Sequence, residues 1–257
     1  MTDLQPALVV SDTHLGALPA DRTARFHRWL EAVPDISDHL VINGDLFDFW
    51  YEYGSVIPRG HTRTLGRLAD LVDAGVRVDF VGGNHDWWAG SFLADEIGVR
   101  VHREPVVLEL AGHRCLVAHG DGLGRGDLGY KLLQTVLRGR ITRFLFRWLH
   151  PDVGAVIADK VSRTHLQEDR TWRPDQERVE ILAGWARDRL LEDESLDLVL
   201  LGHVHAPELR EIAPGRWYGN SGDWIHHGSW IELAPGAAPV LGTHPAFSGR
   251  SDPGTGS

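Results

Sequence analysis

The 257-residue sequence predicts an α/β fold. Short β-branched or leucine-rich runs of strand length recur along the chain, and between them lie stretches patterned with the period of a helix. Much of the order is therefore strand, helix, strand. A third observation ties this class to a site: every apolar run is followed at once by His, Asp or Asn.

The first run, Ala7 to Val10, leads into "SDTH". A helical pattern over about 22–33 separates it from Leu40 to Ile42, which leads into "NGD". A second, over 61–74, precedes Val78 to Val81, which ends in "GGNHDWW", more polar groups than a strand needs to bury itself. Cys115 to Ala118 is followed by "HGD", and after helical patterns at 128–149 and 175–191, Leu198 to Leu201 is followed by "GHVH". In open α/β sheets ligands bind outside the carboxyl ends of the strands. If the five runs share a sheet, they bring together Asp12, His14, Asp45, Asn84, His119, His203 and His205. Oxygen and imidazole donors without a thiolate suit Mn²⁺, Fe or Zn, and seven donors with a shared carboxylate suffice for two ions. In Asp12-x-His14 and His203-x-His205 the i, i+2 spacing on extended backbone aims both side chains to one side. The remaining histidines, His226 and His227 among them, lack this context and read as surface or packing residues.

No internal linker divides the chain, so residues 1–245 are expected to form one domain with an insertion at about 125–170, and 246–257, "FSGRSDPGTGS" from Phe247 on, a flexible tail. No apolar run approaches the roughly 20 residues of a membrane span. One cysteine, Cys115, and no export signal at "MTDLQPALVV" set the expectation of a cytoplasmic protein. The net charge of −10 argues against a nucleic-acid partner.

These motifs, in this order over residues 8 to about 224, resemble the calcineurin-like metallophosphoesterases, whose pattern is D-x-H, G-D, G-N-H-D, H and G-H-x-H. The resemblance implies a four-layer αββα sandwich. It also implies Asp12, His14 and His205 on one metal, Asn84, His119 and His203 on the other, and Asp45 bridging. Two such cations lower the pKa of a bridging water and neutralise phosphoryl oxygens, so phosphate hydrolysis is the expected chemistry. On this reading His85 meets the scissile phosphate and Asp86 orients His85. Asp48 and Asp121 either hold ligating imidazoles or serve turns, and Trp87 and Trp88 either wall the site or pack.

Motifs follow one another every 33 to 39 residues up to His119, and His203 then comes 84 positions later. Within this gap, residues 131–150 carry five Lys or Arg and no acid, with Arg140, Arg143 and Arg147 on one expected helical face and Phe144 and Trp148 on an adjoining one. Such a helix either lies on an anionic membrane or packs on the domain with its arginines solvated. "SDTHLG", "NGDLFDFWYEY", "HGDGLGRGDLGYK" and "GHVHAPELREI…WYGNSGDW" together resemble the bacterial UDP-2,3-diacylglucosamine pyrophosphohydrolase branch of the lipid A pathway. That resemblance implies cleavage at the α-phosphate to UMP and the acylated sugar 1-phosphate with Mn²⁺, a lipid-linked UDP-sugar as partner, contact with the cytoplasmic face of the inner membrane, and no obligate protein partner. It also implies substrate contacts at Ser162, Arg163 and His165, for which a plain helix surface is the competing reading. The branch carries Arg after the metal-binding Asn, where this chain has His85. A general phosphodiesterase on small soluble diesters is the alternative enzyme, and a scaffold without catalysis the alternative of another class.

Overall fold

The computed structural model describes residues 4–124, 139–162 and 172–245. Among these, strands β1 (Ala7–Val10), β2 (His39–Asn43), β3 (Arg77–Val81) and β4 (Arg100–His102) run parallel. They continue on the far side of β1 into antiparallel β10 (Ser229–Leu233) and β11 (Val240–Thr243), giving a six-stranded sheet of order β11-β10-β1-β2-β3-β4. A second sheet has the order β5-β6-β7-β9-β8, from β5 (Val106–Leu110), β6 (His113–Val117), β7 (Leu198–Leu201), β8 (Glu208–Ala213) and β9 (Arg216–Asn220). Its three inner strands β6, β7 and β9 are mutually parallel.

Alternation along the strands makes the layers. Ala7, Val9, Val41 and Val81 of the first sheet pack with Leu108, Cys115, Val117, Leu198 and Leu200 of the second. The intervening residues Leu8, Val10, Leu40, Ile42 and Phe80 face the opposite way, onto Phe26 and Leu30 of α1 (Ala20–Ala32) and Leu65 and Leu68 of α2 (Thr62–Asp73). Val199 and Leu201 face outward from the second sheet onto Val179, Leu182, Ala186 and Leu190, one face of the last long helix, Gln176–Glu192. The central strands β1, β2, β3 and β7 are therefore buried on both faces, which is why they read as largely apolar runs. Each buried Leu, Ile, Val or Phe contributes about 1.5–3 kcal/mol relative to exposure. The four-layer αββα expectation holds. The premise of one shared sheet does not: β1, β2 and β3 belong to one sheet, β6 and β7 to the other.

What unites the two sets of strand ends is a lattice of buried polar side chains. Asn43 Nδ2, at the end of β2, donates to Ala118 O (2.9 Å) beyond β6. Ser11 Oγ, just after β1, meets Ser221 Oγ (2.8 Å) just after β9.

Within the insertion, the expected single helix over 128–149 is broken in its described part, the rest lying outside the described residues. Helix α3 is the short Phe92–Asp95, α4 is Arg140–Phe146, and α5 (Pro151–Ser162) begins at a proline, which suits a first helical turn. The last helix, Gln176–Glu192, is α6. Arg147 and Trp148 thus lie past the end of α4, in a turn closed by Trp148 N donating to Leu145 O (3.1 Å), so the three arginines do not share one helical face. Phe146 anchors α4, its ring 4.5 Å from that of Trp88 and 5.3 Å from that of Tyr51.

Candidate metal centre

Six of the seven expected donors come from loops that directly follow β1, β2, β6 and β7. Asp12, His14, Asp45, His203 and His205 all hold left-handed backbone, with φ between 47° and 70°. That conformation costs an ordinary residue about 1–2 kcal/mol. It turns each side chain back over the strand ends.

The structure brings Asp12, His14 and His205 into one group and Asp45, His119 and His203 into another, the donor atoms of each lying within 4.8 Å of one another. His205 Nε2 lies 3.4 Å from Asp12 Oδ1, and His14 Nε2 lies 3.3 Å from His205 Nε2. Asp45 Oδ2 stands between the groups, 3.1 Å from His119 Nε2 and 3.9 Å from His14 Nε2. Each carboxylate spends its other oxygen on backbone: Asp12 Oδ2 accepts from His203 N (2.9 Å) and Asp45 Oδ1 from His85 N (2.9 Å). Asn84 follows β3 on the same edge.

Two side chains at Gly44 or Gly83 would ruin this packing. A Cβ at Gly44, where φ is +82°, would run into the His119 ring, and one at Gly83 would meet the Asp45 carboxylate. These glycines let loop backbone pass directly behind two donors.

Asp12 Oδ1 and Asn84 Oδ1 are buried and make no hydrogen bond. Buried polar atoms seldom remain unsatisfied, so the unfilled Asp12 oxygen, 3.4 Å from His205 Nε2 and 3.9 Å from His14 Nε2, marks a place for a cation. The donor set of carboxylate, amide oxygen and imidazole fits divalent ions of the Mn, Fe and Zn kind. Cys115, the only thiol, lies in the core between the sheets and takes no part.

The electrostatics divide the imidazoles. Burial lowers the imidazoles of His14 and His203, keeping them neutral and able to donate a lone pair. Burial would lower His119 also, but the carboxylates of Asp45 and Asp12 override it and hold this group well above its ordinary value. Asp45 answers in kind: burial would raise it, yet His119, His85 and His14 hold it well below the usual carboxylate range.

The groups around the donors differ from expectation in three places. Asp86 does not orient His85: its Oδ1 accepts from Gly83 N (2.7 Å) and its Oδ2 from Leu46 N (2.8 Å), so it braces the two glycine-bearing loops. The His85 ring is held by Asp48, whose main-chain oxygen accepts from Nδ1 at 2.5 Å. Asp48 Oδ1 also lies 3.6 Å from His14 Nδ1. His119 takes its support from the main chain, its Nδ1 donating to Asn43 O (2.9 Å). The carboxylate that sequence reading missed is Asp223, fully buried, with Oδ2 3.1 Å from His205 Nδ1 and Oδ1 accepting from His226 N (2.6 Å). His226 and His227 therefore belong to the rim of the site: Trp172 stacks on His226 with centroids 4.9 Å apart, and His227 Nδ1 is 3.3 Å from Asp223 Oδ1. A signal existed, since β9 ends in "GNSGD" just as the other strands end in polar residues. Trp87 and Trp88 part company, Trp87 lining a cleft beside His119 and Trp88 packing on Phe49 and Phe146.

Arg163 and His165 lie outside the described residues, and of Ser162 only its place at the end of α5 is described. Arg140 and Arg143 are placed on α4 by their backbone. Phe144 and Trp148 are exposed, 60% and 78%, and Arg147 is exposed as well. Among the described residues no helix is long and apolar enough to cross a membrane.

A two-sheet sandwich that gathers carboxylates, imidazoles and an amide at one edge is the frame of a metal-dependent phosphoesterase. The chain belongs to the calcineurin-like phosphoesterase family, whose profile matches residues 6–207. The family implies divalent metal ions and a metal-dependent hydrolase. More particularly, the chain is 31% identical over 237 residues to a UDP-2,3-diacylglucosamine hydrolase of Porphyromonas gingivalis, covering 86% of this chain and 90% of that one. It is 32% identical to a protein of the same name from Aeromonas salmonicida, covering 89% and 90%. Among solved structures, a dimetal phosphatase from Danio rerio covers 94% of this chain and 96% of its own at 12% identity, with a TM-score of 0.42.

Proposed function

We propose that the chain hydrolyses the pyrophosphate of UDP-2,3-diacylglucosamine at the α-phosphate, releasing UMP and 2,3-diacylglucosamine 1-phosphate. The observation that carries this is an apolar surface beside the centre: Ile141, Phe144, Leu145 and Trp148 are all at least 60% exposed, and Phe146 joins their helix to Trp88, three residues past His85. A soluble diester gives no reason for such a surface, whereas a two-tailed lipid does. The names of the relatives over nearly their whole length point the same way.

Asp12, His14 and His205 would hold one cation, Asn84, His119 and His203 the other, with Asp45 shared, and Mn²⁺ is the ion we propose. Two bound cations supply an activated water and neutralise phosphoryl oxygens. The chain does the rest. Because Asp48 O accepts from Nδ1, that nitrogen of His85 carries a proton and Nε2 is left facing the substrate, 4.0 Å from Asp45 Oδ2. There Nε2 receives or delivers a proton at a phosphoryl or leaving oxygen. Arg147 and the exposed apolar residues of the insertion would rest on the anionic face of the inner membrane from the cytoplasmic side. A second reading, hydrolysis of small soluble diesters, is favoured by one observation, His85 standing where an arginine would point to the sugar nucleotide.

The test is hydrolysis of detergent-dispersed UDP-2,3-diacylglucosamine with Mn²⁺, beside a chelator control, Asp45→Ala, and un-acylated UDP-N-acetylglucosamine. Release of UMP that needs Mn²⁺, Asp45 and the acyl chains is the expected result. Good turnover of simple diesters with none of the lipid would replace the substrate while keeping the metal chemistry.

A further inference from the structure

Beside His119 a cleft of about 180 Å³ opens between the end of β3 and the segment joining β4 to β5, walled by Trp87, Arg103, Glu104 and Asp121. It is smaller than the roughly 300–1,000 Å³ of pockets that take a whole ligand, so it suits one moiety of a larger substrate. Trp87 offers an aromatic face, its ring edge 3.7 Å from where a side chain at Gly82 would begin. Arg103 sits at the mouth, where its Nη2 also donates to Gly90 O (3.2 Å).

We infer that this cleft is the nucleoside subsite, taking the pyrimidine base and ribose of the substrate. The inference rests on the sugar-nucleotide reading and adds to it which end of the substrate goes where. Attack at the α-phosphate leaves the nucleoside one ester bond from the phosphorus, so its subsite must border a donor of the metal centre. The cleft borders His119 itself. The two halves of a pyrophosphate leave the reacting phosphorus in different directions. The tails have their surface beside Trp88, where that indole meets Phe146, and neither residue lines the cleft. Consecutive indoles thus divide the substrate: Trp88 backs the lipid side, Trp87 the nucleoside side. Uracil presents an N–H between two carbonyl oxygens, and an arginine beside carboxylates supplies donors for the oxygens and an acceptor for the N–H. A π-face beneath the ring adds stacking.

The experiment uses the full chain loaded with Mn²⁺ and the variants Trp87→Ala and Arg103→Met, the second at an exposed position where folding is not at stake. Calorimetry would measure UMP, AMP and 2,3-diacylglucosamine 1-phosphate, beside steady-state kinetics on the lipid. The expected result is UMP binding weakened about tenfold in each variant, a matching rise in KM, loss of the preference for UMP over AMP, and unaltered affinity for the acylated sugar phosphate. Unchanged UMP affinity in both variants, with lipid hydrolysis intact in the parent, would overturn the subsite and leave the proposed function standing. So would weakened binding of the acylated sugar phosphate in place of UMP. A parent protein that binds UMP through these residues but ignores the lipid would sustain the subsite and overturn the lipid substrate; one that neither binds UMP nor cleaves the lipid would overturn both.

Discussion

His85 is fixed by one contact and performs its work with the other nitrogen. Its Nδ1 is committed to Asp48 O, so the ring cannot turn without losing a charge-orienting hydrogen bond, and only 15% of the side chain is exposed. His85→Ala should lower turnover by about 100-fold or more, in the range of general acid–base groups. Metal content, read by elemental analysis, should stay at the parental level, because the donors keep their own partners. Loss of metal with turnover would show that His85 is itself a ligand, a reading its 3.9 Å approach to Asp48 Oδ1 leaves testable. Cys115 supplies an opposite case. Burial pushes its thiol upward, with Asp197 and Glu109 adding to the shift, and it lies wholly inside the sandwich. Iodoacetamide should leave it unmodified in the native protein and alkylate it only in denaturant; rapid native labelling would contradict the packing.

Helices α4 and α5 turn several apolar residues outward, Ile141, Phe144 and Leu145 on the first and Val153, Val156 and Ile157 on the second. Replacing Phe144 and Trp148 together with serine removes two large exposed side chains without touching Phe146, the residue that docks α4. Co-sedimentation with vesicles containing anionic lipid should fall several-fold, and KM for the lipid should rise while turnover of a soluble diester is kept. Equal vesicle binding by parent and variant would mean that these residues serve only the substrate. Much of the fold at this scale was legible beforehand. β1 and β7 coincide with the runs read from sequence, and β2 and β3 contain them, because strands covered on both faces are apolar at most positions, the hydrogen-bonded Asp79 of β3 being an exception. β8, "ELREIA", is half-buried and polar and gave no such signal, and β4 is only three residues long. The insertion misled because its apolar spacing continues through Arg147 and Trp148, whereas the chain actually turns there to reach Pro151. The donors were legible because each follows its strand directly. Their supports were not, because the contact of Asp223 with His205 spans 18 residues and that of His119 with the Asn43 carbonyl spans 76, separations that no local pattern records.

At the scale of the whole molecule, three parallel strands of the first sheet are tied together by a charged network. Asp79 of β3 accepts from His39 Nε2 (2.7 Å) and His102 Nε2 (2.6 Å), and Arg77 Nε adds a third contact at 3.2 Å. Burial would raise this carboxyl, but the hydrogen bonds from His39 and His102 and the charge of Arg77 lower it to about 2. A carboxyl lowered on folding lends stability above its unfolded value of 3.8 and loses it as the pH falls toward 2. Acid unfolding followed by circular dichroism should therefore show the gap between the parent and Asp79→Asn narrowing from pH 5 to pH 2. A constant gap would mean that the network works by shape and not by charge. The core itself answers to volume: Phe80→Ala, at a fully buried position under α1 and α2, should cost about 3–5 kcal/mol in urea unfolding.

The left-handed backbone at Asp12, His14, Asp45, His203 and His205 has a consequence for how this protein can change. Glycine would sit in those conformations with less torsional strain than the residues now there. A His203→Gly chain, whose lost imidazole leaves no buried carboxylate without its hydrogen-bond partner, should thus melt no lower than the parent, or higher, when both are stripped of metal, although it gives up a donor. Selection for a sturdier polypeptide alone would erode the centre one glycine at a time. That five such positions still carry acids and imidazoles makes the backbone angles a record of use, written in a form that any relative's coordinates would let a reader check.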